Sequence, residues 1–186
     1  MKLHSAALAL GLLVSLSAGA AEYSQLLADK SALGFTYKQM NVPVEGSFKR
    51  FKAQLAFDPA QPAKASAAFD IEVASIDVGS AEGNGEVGGK LWFNTAAFPT
   101  ARFVSSAVKP LGNSRFEVAG KLSIKGRTQD VVAPVSFKQD GANGVFEGVL
   151  PIKRADFGIG EGMWADFGTV ANEVQIRFRL VAAAKK

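Results

Sequence analysis

Apolar and polar residues alternate with a period of two over several stretches of this chain, most clearly over 116–125. There Phe116, Val118, Gly120, Leu122 and Ile124 occupy one set of positions, and Glu117, Ala119, Lys121, Ser123 and Lys125 the other. Successive side chains of a strand point to opposite faces, so the alternation predicts a strand with one greasy side and one wet side. The same rule predicts a strand near the end of the chain, where Val174, Ile176, Phe178 and Leu180 interleave with Glu173, Gln175, Arg177 and Arg179. Phe51, Ala53, Leu55 and Phe57 against Arg50, Lys52, Gln54 and Ala56 make a third; Phe69, Ile71 and Val73 against Asp70 and Glu72 make a fourth. Further strands are expected at 31–40, 101–109, 130–139 and 144–154, with a short first one near 23–28.

Turn signals fall between these segments at Asp58-Pro59, Leu111-Gly112-Asn113, Gly126-Arg127-Thr128 and Gly141-Ala142-Asn143-Gly144. The apolar phase slips by one residue between Val73 and Ile76, and again between Phe48 and Phe51. Each slip predicts a β-bulge, a device that bends a sheet toward closure. About eight or nine strands without a convincing long helix predict an all-β fold, and strands of this length favour an antiparallel barrel over a sandwich. Gly79–Pro99 interrupts the pattern, and Gly83, Gly85, Gly88 and Gly89 make it a poor helix. It is expected to be a short irregular or helical insertion whose Leu91-Trp92-Phe93 cluster lies as a lid or plug across a barrel mouth.

Composition narrows the chemistry. The chain has no cysteine, and its one histidine, His4, lies in a segment with the form of a secretory leader. Within Met1–Ala21, Lys2 is followed by the apolar Ala6–Leu16 and by the small residues Ser17 to Ala21, a cleavage-site pattern. The apolar run is shorter than the roughly 20 residues that span a bilayer. The expectation is export to a periplasm without an anchor, leaving residues 22–186 as one barrel domain with no disulfide. Without histidine or cysteine, the mature chain has no Ser/His/Asp or Cys/His nucleophile system. Asp156, Glu161 and Asp166 sit on a glycine-rich stretch, where turn formation accounts for them, and no loop alternates acidic ligands as calcium requires. The protein is therefore expected to be neither an enzyme nor a cofactor carrier. A formal net charge of +4, spread over short clusters such as Lys49-Arg50-Lys52, Lys153-Arg154 and Arg177/Arg179, is too diffuse for a nucleic-acid partner. Those clusters are expected on a solvated face, with Arg154 paired to Asp156 along one side of a strand.

Several segments together carry a resemblance. Val44-Glu45-Gly46-Ser47-Phe48, Ala56-Phe57-Asp58-Pro59, Ser75-Ile76-Asp77-Val78-Gly79, Trp92-Phe93-Asn94, Phe98-Pro99-Thr100-Ala101-Arg102-Phe103, Gly120 to Gly126 and Arg154-Ala155-Asp156-Phe157-Gly158-Ile159-Gly160 occur in the order seen in YceI-like proteins. The resemblance implies a lipocalin-like barrel of about eight strands, exported to the periplasm, that holds a polyisoprenoid or isoprenoid quinone in its interior. The chain departs from the common pattern over Gly79–Pro99, usually more charged and helical, and at Asn94, where aspartate is frequent; this bears on ligand identity.

The ligand-binding set expected on these grounds is Phe35, Tyr37, Phe69, Ile71, Phe103, Phe116 and Val118 along the interior. Leu91, Trp92, Phe93, Met163 and Trp164 are expected near the mouth, with Phe157 from the last conserved-looking segment. The expected partner is a long-chain apolar lipid, met through transient contact with a membrane; the oligomeric state, a homodimer among the options, is left open. Two alternatives remain at this point. One is a small outer-membrane barrel, which needs an apolar band facing lipid and against which the short apolar runs and weak aromatic girdle speak. The other is a ligand-free stress-response module with a solid interior.

Overall fold

The computed structural model describes residues 22–185; the leader expected at 1–21 lies outside the described residues. Eleven strands form: β1 (Tyr23–Leu26), β2 (Ala32–Gln39), β3 (Val42–Phe48), β4 (Phe51–Ala56), β5 (Ser66–Glu72), β6 (Ile76–Asp77), β7 (Thr100–Gly112), β8 (Arg115–Ile124), β9 (Arg127–Asp140), β10 (Asn143–Lys153) and β11 (Glu173–Ala184). They pair antiparallel in one sheet of order β4-β5-β7-β8-β9-β10-β11-β2-β3-β6, with β1 added beside β11. The sheet curls into a half-barrel, the lipocalin-like all-β architecture. Its extra strands over the expected eight or nine are the short β6 and the split of 42–56 into β3 and β4.

Tight hairpins set the registers. Met40 and Asn41 between β2 and β3 have φ of 49° and 64°, and Lys125 and Gly126 between β8 and β9 have 49° and 74°. Two successive left-handed residues give a turn whose twist matches that of the flanking strands. The Met40-Asn41 turn lacks glycine or proline, which is why the sequence did not announce it.

Both phase slips differ from expectation. Val73–Ser75 is a 3-10 turn and not a β-bulge, and the Phe48-to-Phe51 slip is a corner at Lys49-Arg50. The reason is topological: β3 pairs with β6 while β4 pairs with β5, at opposite ends of the sheet order, so no ladder runs through either slip. The two corners lock together. Lys49 N donates to Ser75 O at 3.1 Å, Arg50 N to Ser75 Oγ at 3.0 Å, and Glu72 N to Arg50 O at 3.0 Å. Of the two register shifts of β7 against β8, one lies between Ser105 and Ala107, where small residues carry no phase signal, and the other between Pro110 and Gly112.

The glycine-rich insertion takes the helical of its two expected forms despite its glycines: Ala81–Gly88 is an α-helix, α1. Ser80 caps it by accepting from Gly83 N at 3.1 Å, and Asn84 Oδ1 accepts from Val78 N at 2.8 Å. A Cβ on Gly83 would come within 2.7 Å of Val78, so this glycine permits the helix to pack closely. Capping and tertiary packing outweigh a propensity deficit of about 1 kcal/mol per glycine.

The strand phases resolve the direction of the greasy face. Phe116, Leu122, Phe178 and Leu180 turn inward, whereas Lys121 pairs with Asp130, Arg177 with Glu45 and Arg179 with Glu147 on the outside. A membrane-spanning barrel needs the reverse arrangement. One end of the interior is floored by Tyr23, Phe57, Phe116, Phe137 and Phe146, with ring centroids 4.8–5.4 Å apart. β1 holds this floor through paired bonds between Tyr23 and Phe57 of 2.8 and 3.1 Å.

Candidate ligand-binding cavity

Above the aromatic floor the interior is hollow, in two adjoining chambers. The inner chamber has a volume of ≈ 170 Å³ and an apolar wall that includes Leu33, Phe51, Leu55, Phe69, Ile71, Phe103, Val118, Leu122 and Phe178. An apolar protein cavity of about 150 Å³ stays dry and admits benzene, so this chamber favours hydrocarbon over water. The outer chamber is larger, ≈ 530 Å³, and mixed in character, adding Tyr37, Gln39, Ser80, Glu82, Glu86 and Arg154 to an apolar wall. Phe48, Phe93, Ile124 and Ile176 line both and form the neck between them. At that neck the rings of Phe48 and Phe93 meet edge to face, 6.3 Å apart at 88°.

The expected residues divide between the two. Phe69, Ile71, Phe103, Phe116 and Val118 line the inner chamber, Phe35, Tyr37, Trp92 and Trp164 the outer, and Phe93 the neck. Leu91, Met163 and Phe157 line neither. Leu91 is exposed and uses its carbonyl to hold Gly160 N and Glu161 N at 2.9 and 2.8 Å; Met163 is 80% exposed; Phe157 is buried in solid packing. Sequence reasoning missed Leu33 and Phe48 altogether, and left Phe51, Leu55 and Phe178 out of the site although their inward phase was legible. Gln39, Ser80, Glu82 and Glu86 carried no signal, because α1 docks by tertiary packing that no local pattern encodes.

Arg154 corrects two expectations: it is neither solvated nor paired with Asp156. The strand ends at Lys153 and residues Arg154–Phe157 form a 3-10 turn, so a two-residue spacing no longer shares a face. Asp156 stays exposed while Arg154, 2% exposed, turns inward. Its Nε donates to Ala171 O at 3.1 Å, Nη1 to Ile159 O and Gly160 O at 2.8 and 2.9 Å, and Nη2 to Trp164 O and Val170 O at 2.7 and 2.8 Å. All five guanidinium donors are thus used. The group lies between the rings of Trp92 and Phe167, 5.6 and 5.2 Å from their centroids. Burial lowers its pKa, but five carbonyl dipoles and two aromatic faces compensate the charge.

Around it the polar groups are arranged asymmetrically. Trp164 Nε1 donates to Glu86 Oε1 at 2.8 Å, whereas the buried Trp92 Nε1 has no partner among the described residues. Burial raises the Tyr37 pKa, so its hydroxyl is neutral at ordinary pH. Beneath the 155–172 segment, Lys125 Nζ donates to Gly158 O at 2.6 Å and to Glu161 Oε2 at 2.9 Å, with Arg127 Nη2 3.2 Å from the same carboxylate. The Lys125 hydrogen bond, then its charge, hold the Glu161 pKa below the usual carboxylate range. Because the folded-state value is depressed, this link stabilises the fold above the unfolded carboxylate pKa and is lost as pH falls through the folded one. Thermal melts over that acid window should lose less stability for Glu161→Gln than for the natural chain; parallel losses would remove Glu161 from the linkage.

A YceI-like domain model matches residues 25–182. A UPF0312 protein of Azotobacter vinelandii is 31% identical over 193 residues, covering 95% of each chain. The crystal structure of Burkholderia cenocepacia BcnA superposes with a TM-score of 0.84 at 50% identity, covering 86% of this chain and 100% of that one. A polyisoprenoid binding domain from Saccharophagus degradans shares the fold, with a TM-score of 0.68 at 19% identity over 89% of this chain and 99% of that one.

Proposed function

This chain belongs to the YceI-like family, and from that premise we propose that it is a non-enzymatic periplasmic carrier of a long apolar lipid, a polyisoprenoid or isoprenoid quinone. The observation that carries this reading is the apolar inner chamber, floored by aromatic rings and sharing a wall with a wider mixed chamber. The tail would fill the inner chamber, and the polar end would stay in the outer one. The Saccharophagus neighbour is a polyisoprenoid binding domain of the same fold, which supports the choice of ligand class.

Burying a methylene from water is worth about 0.8 kcal/mol, so a prenyl tail binds tightly relative to water. Relative to a bilayer of similar apolarity the exchange is nearly balanced, which suits a carrier that must also release. Export follows from the Met1–Ala21 leader, with the barrel acting between membranes. The test is organic extraction and mass spectrometry of the protein purified from its own host. A prenyl lipid in stoichiometric amount supports the carrier reading; repeatedly empty preparations that also take up no prenol or quinone from liposomes overturn it.

Loading would occur where the outer chamber meets solvent. Met40 and Val42 continue the wall from Gln39 and Val44, and Met163 and Phe167 flank Trp164; all four are exposed. Such a rim suits brief contact with a bilayer. Met40→Ser combined with Met163→Ser is expected to slow transfer of a fluorescent prenol from vesicles several-fold, with unchanged uptake of the same probe from detergent micelles. Equal slowing by both routes would move the effect from the rim to the cavity.

A further inference from the structure

We propose that the outer chamber is a head-group site selecting an uncharged, oxygen-bearing head group, such as a quinone ring or an alcohol, and rejecting a phosphate or diphosphate. This rests on the reading that the inner chamber holds the tail, because the polar end must then lie beyond the Phe48–Phe93 neck.

The charged residues lining the chamber are Glu82, Glu86 and Arg154. A guanidinium captures phosphate through paired N–H donors, and Arg154 has none left, since all five end on main-chain carbonyls. Lys125, the nearest buried cation to the 155–172 segment, is spent on Gly158 O and Glu161. A helix N-terminus is the other common phosphate cradle. Here the first turn of α1 already has Ser80 Oγ on Gly83 N, and the carboxylate of Glu82 in that turn opposes an incoming anion. Glu82 and Glu86 stand one helical turn apart and present two negative charges to anything entering. A phosphorylated head group would meet repulsion and no free cationic donor to offset its charge.

An uncharged acceptor meets the opposite situation. Trp92 is 8% exposed and its indole N–H lacks a partner among the described residues. A carbonyl or hydroxyl oxygen that reaches this buried N–H through a small shift of the ring supplies the bond that burial denies it, with no charge to desolvate. The Tyr37 hydroxyl offers a second donor in the same chamber. Trp92 and Trp164, with centroids 5.4 Å apart and planes at 54°, leave an aromatic wall that suits a flat ring.

The test uses three probes with the same tetraprenyl tail, geranylgeraniol, geranylgeranyl diphosphate and ubiquinone-4, titrated against the delipidated protein by tryptophan fluorescence. The alcohol and the quinone are expected to bind at least about tenfold more tightly than the diphosphate. Added salt should improve diphosphate binding, because screening relieves repulsion. Glu82→Gln with Glu86→Gln should raise diphosphate affinity several-fold and narrow its gap to the alcohol. Trp92→Phe should weaken the alcohol and quinone without helping the diphosphate, and no change there overturns the donor assignment. A diphosphate that binds as tightly as the alcohol and is weakened by salt overturns the head-group assignment alone. Failure of all three probes to bind overturns the tail-chamber reading and this inference with it.

Discussion

Replacing Arg154 with leucine is expected to be among the most destabilising single changes in the chain. The substitution removes a charge whose burial is costly, but it also strips five main-chain carbonyls, at Ile159, Gly160, Trp164, Val170 and Ala171, of their donor. A buried polar group left unsatisfied costs about 1–3 kcal/mol. Water can reach some of the five once the 155–172 segment loosens, so the expected net loss is about 3–5 kcal/mol, against a typical total of about 5–15 kcal/mol. For a domain of this size that lowers Tm by roughly 10 °C. Arg154→Lys should recover only part of it, because an ammonium offers three donors to five acceptors and cannot lie flat between Trp92 and Phe167. Thermal and urea denaturation of both variants decide the matter. A loss below about 1 kcal/mol for the leucine variant would mean the carbonyls find water without cost. Because Trp164 hangs from the same guanidinium and lines the outer chamber, ligand uptake should fall in step with stability.

That arginine also marks where sequence reasoning stopped working. The barrel was legible because inward and outward residues of β4, β5, β8 and β11 alternate without interruption, and a strand's period of two leaves one solution for which side is buried. The lining of the inner chamber followed from the same signal, since Phe69, Ile71, Phe103, Phe116 and Val118 all keep that phase, whereas its hollowness was implied only by the family resemblance. Legibility ended wherever the ladder ended. Arg154 lies one residue beyond β10, so a rule that holds inside a strand gave the wrong side and the wrong partner. The corners at Lys49-Arg50 and Val73–Ser75 look like bulges because both produce a one-residue slip; only the non-local pairing of β3 with β6 separates them. α1 was masked by its glycines, of which Gly83 is required by the close approach of Val78, a tertiary fact. The outer chamber, to which α1, Trp92, Phe93 and residues Ile159, Trp164 and Val170 contribute, was therefore the least visible part.

Ile71→Asp tests the strand phase on which the hollow interior depends. Ile71 is 8% exposed and lines the inner chamber, opposite Phe51 on β4 and Ala101 on β7. The change forfeits about 1.5–3 kcal/mol of apolar burial and places a carboxyl where no donor awaits it, at a further cost of about 2 kcal/mol or more. Its neighbour Asp70 points outward, 46% exposed, in an ion pair with Arg102 at 3.1 Å. Surface pairs of this kind contribute about 0–1 kcal/mol, so Asp70→Ala should be nearly silent in both stability and ligand uptake. The introduced aspartate adds a signature of its own. Burial favours its neutral form and raises its folded-state pKa above the unfolded value, so the penalty should shrink as pH falls through that raised value. Denaturation midpoints of the two variants from neutral to mildly acid pH supply the comparison. Equal sensitivity at positions 70 and 71, or a loss at Ile71→Asp that ignores pH, would mean that the side chain faces water and that the apolar residues of β5 do not wall a cavity.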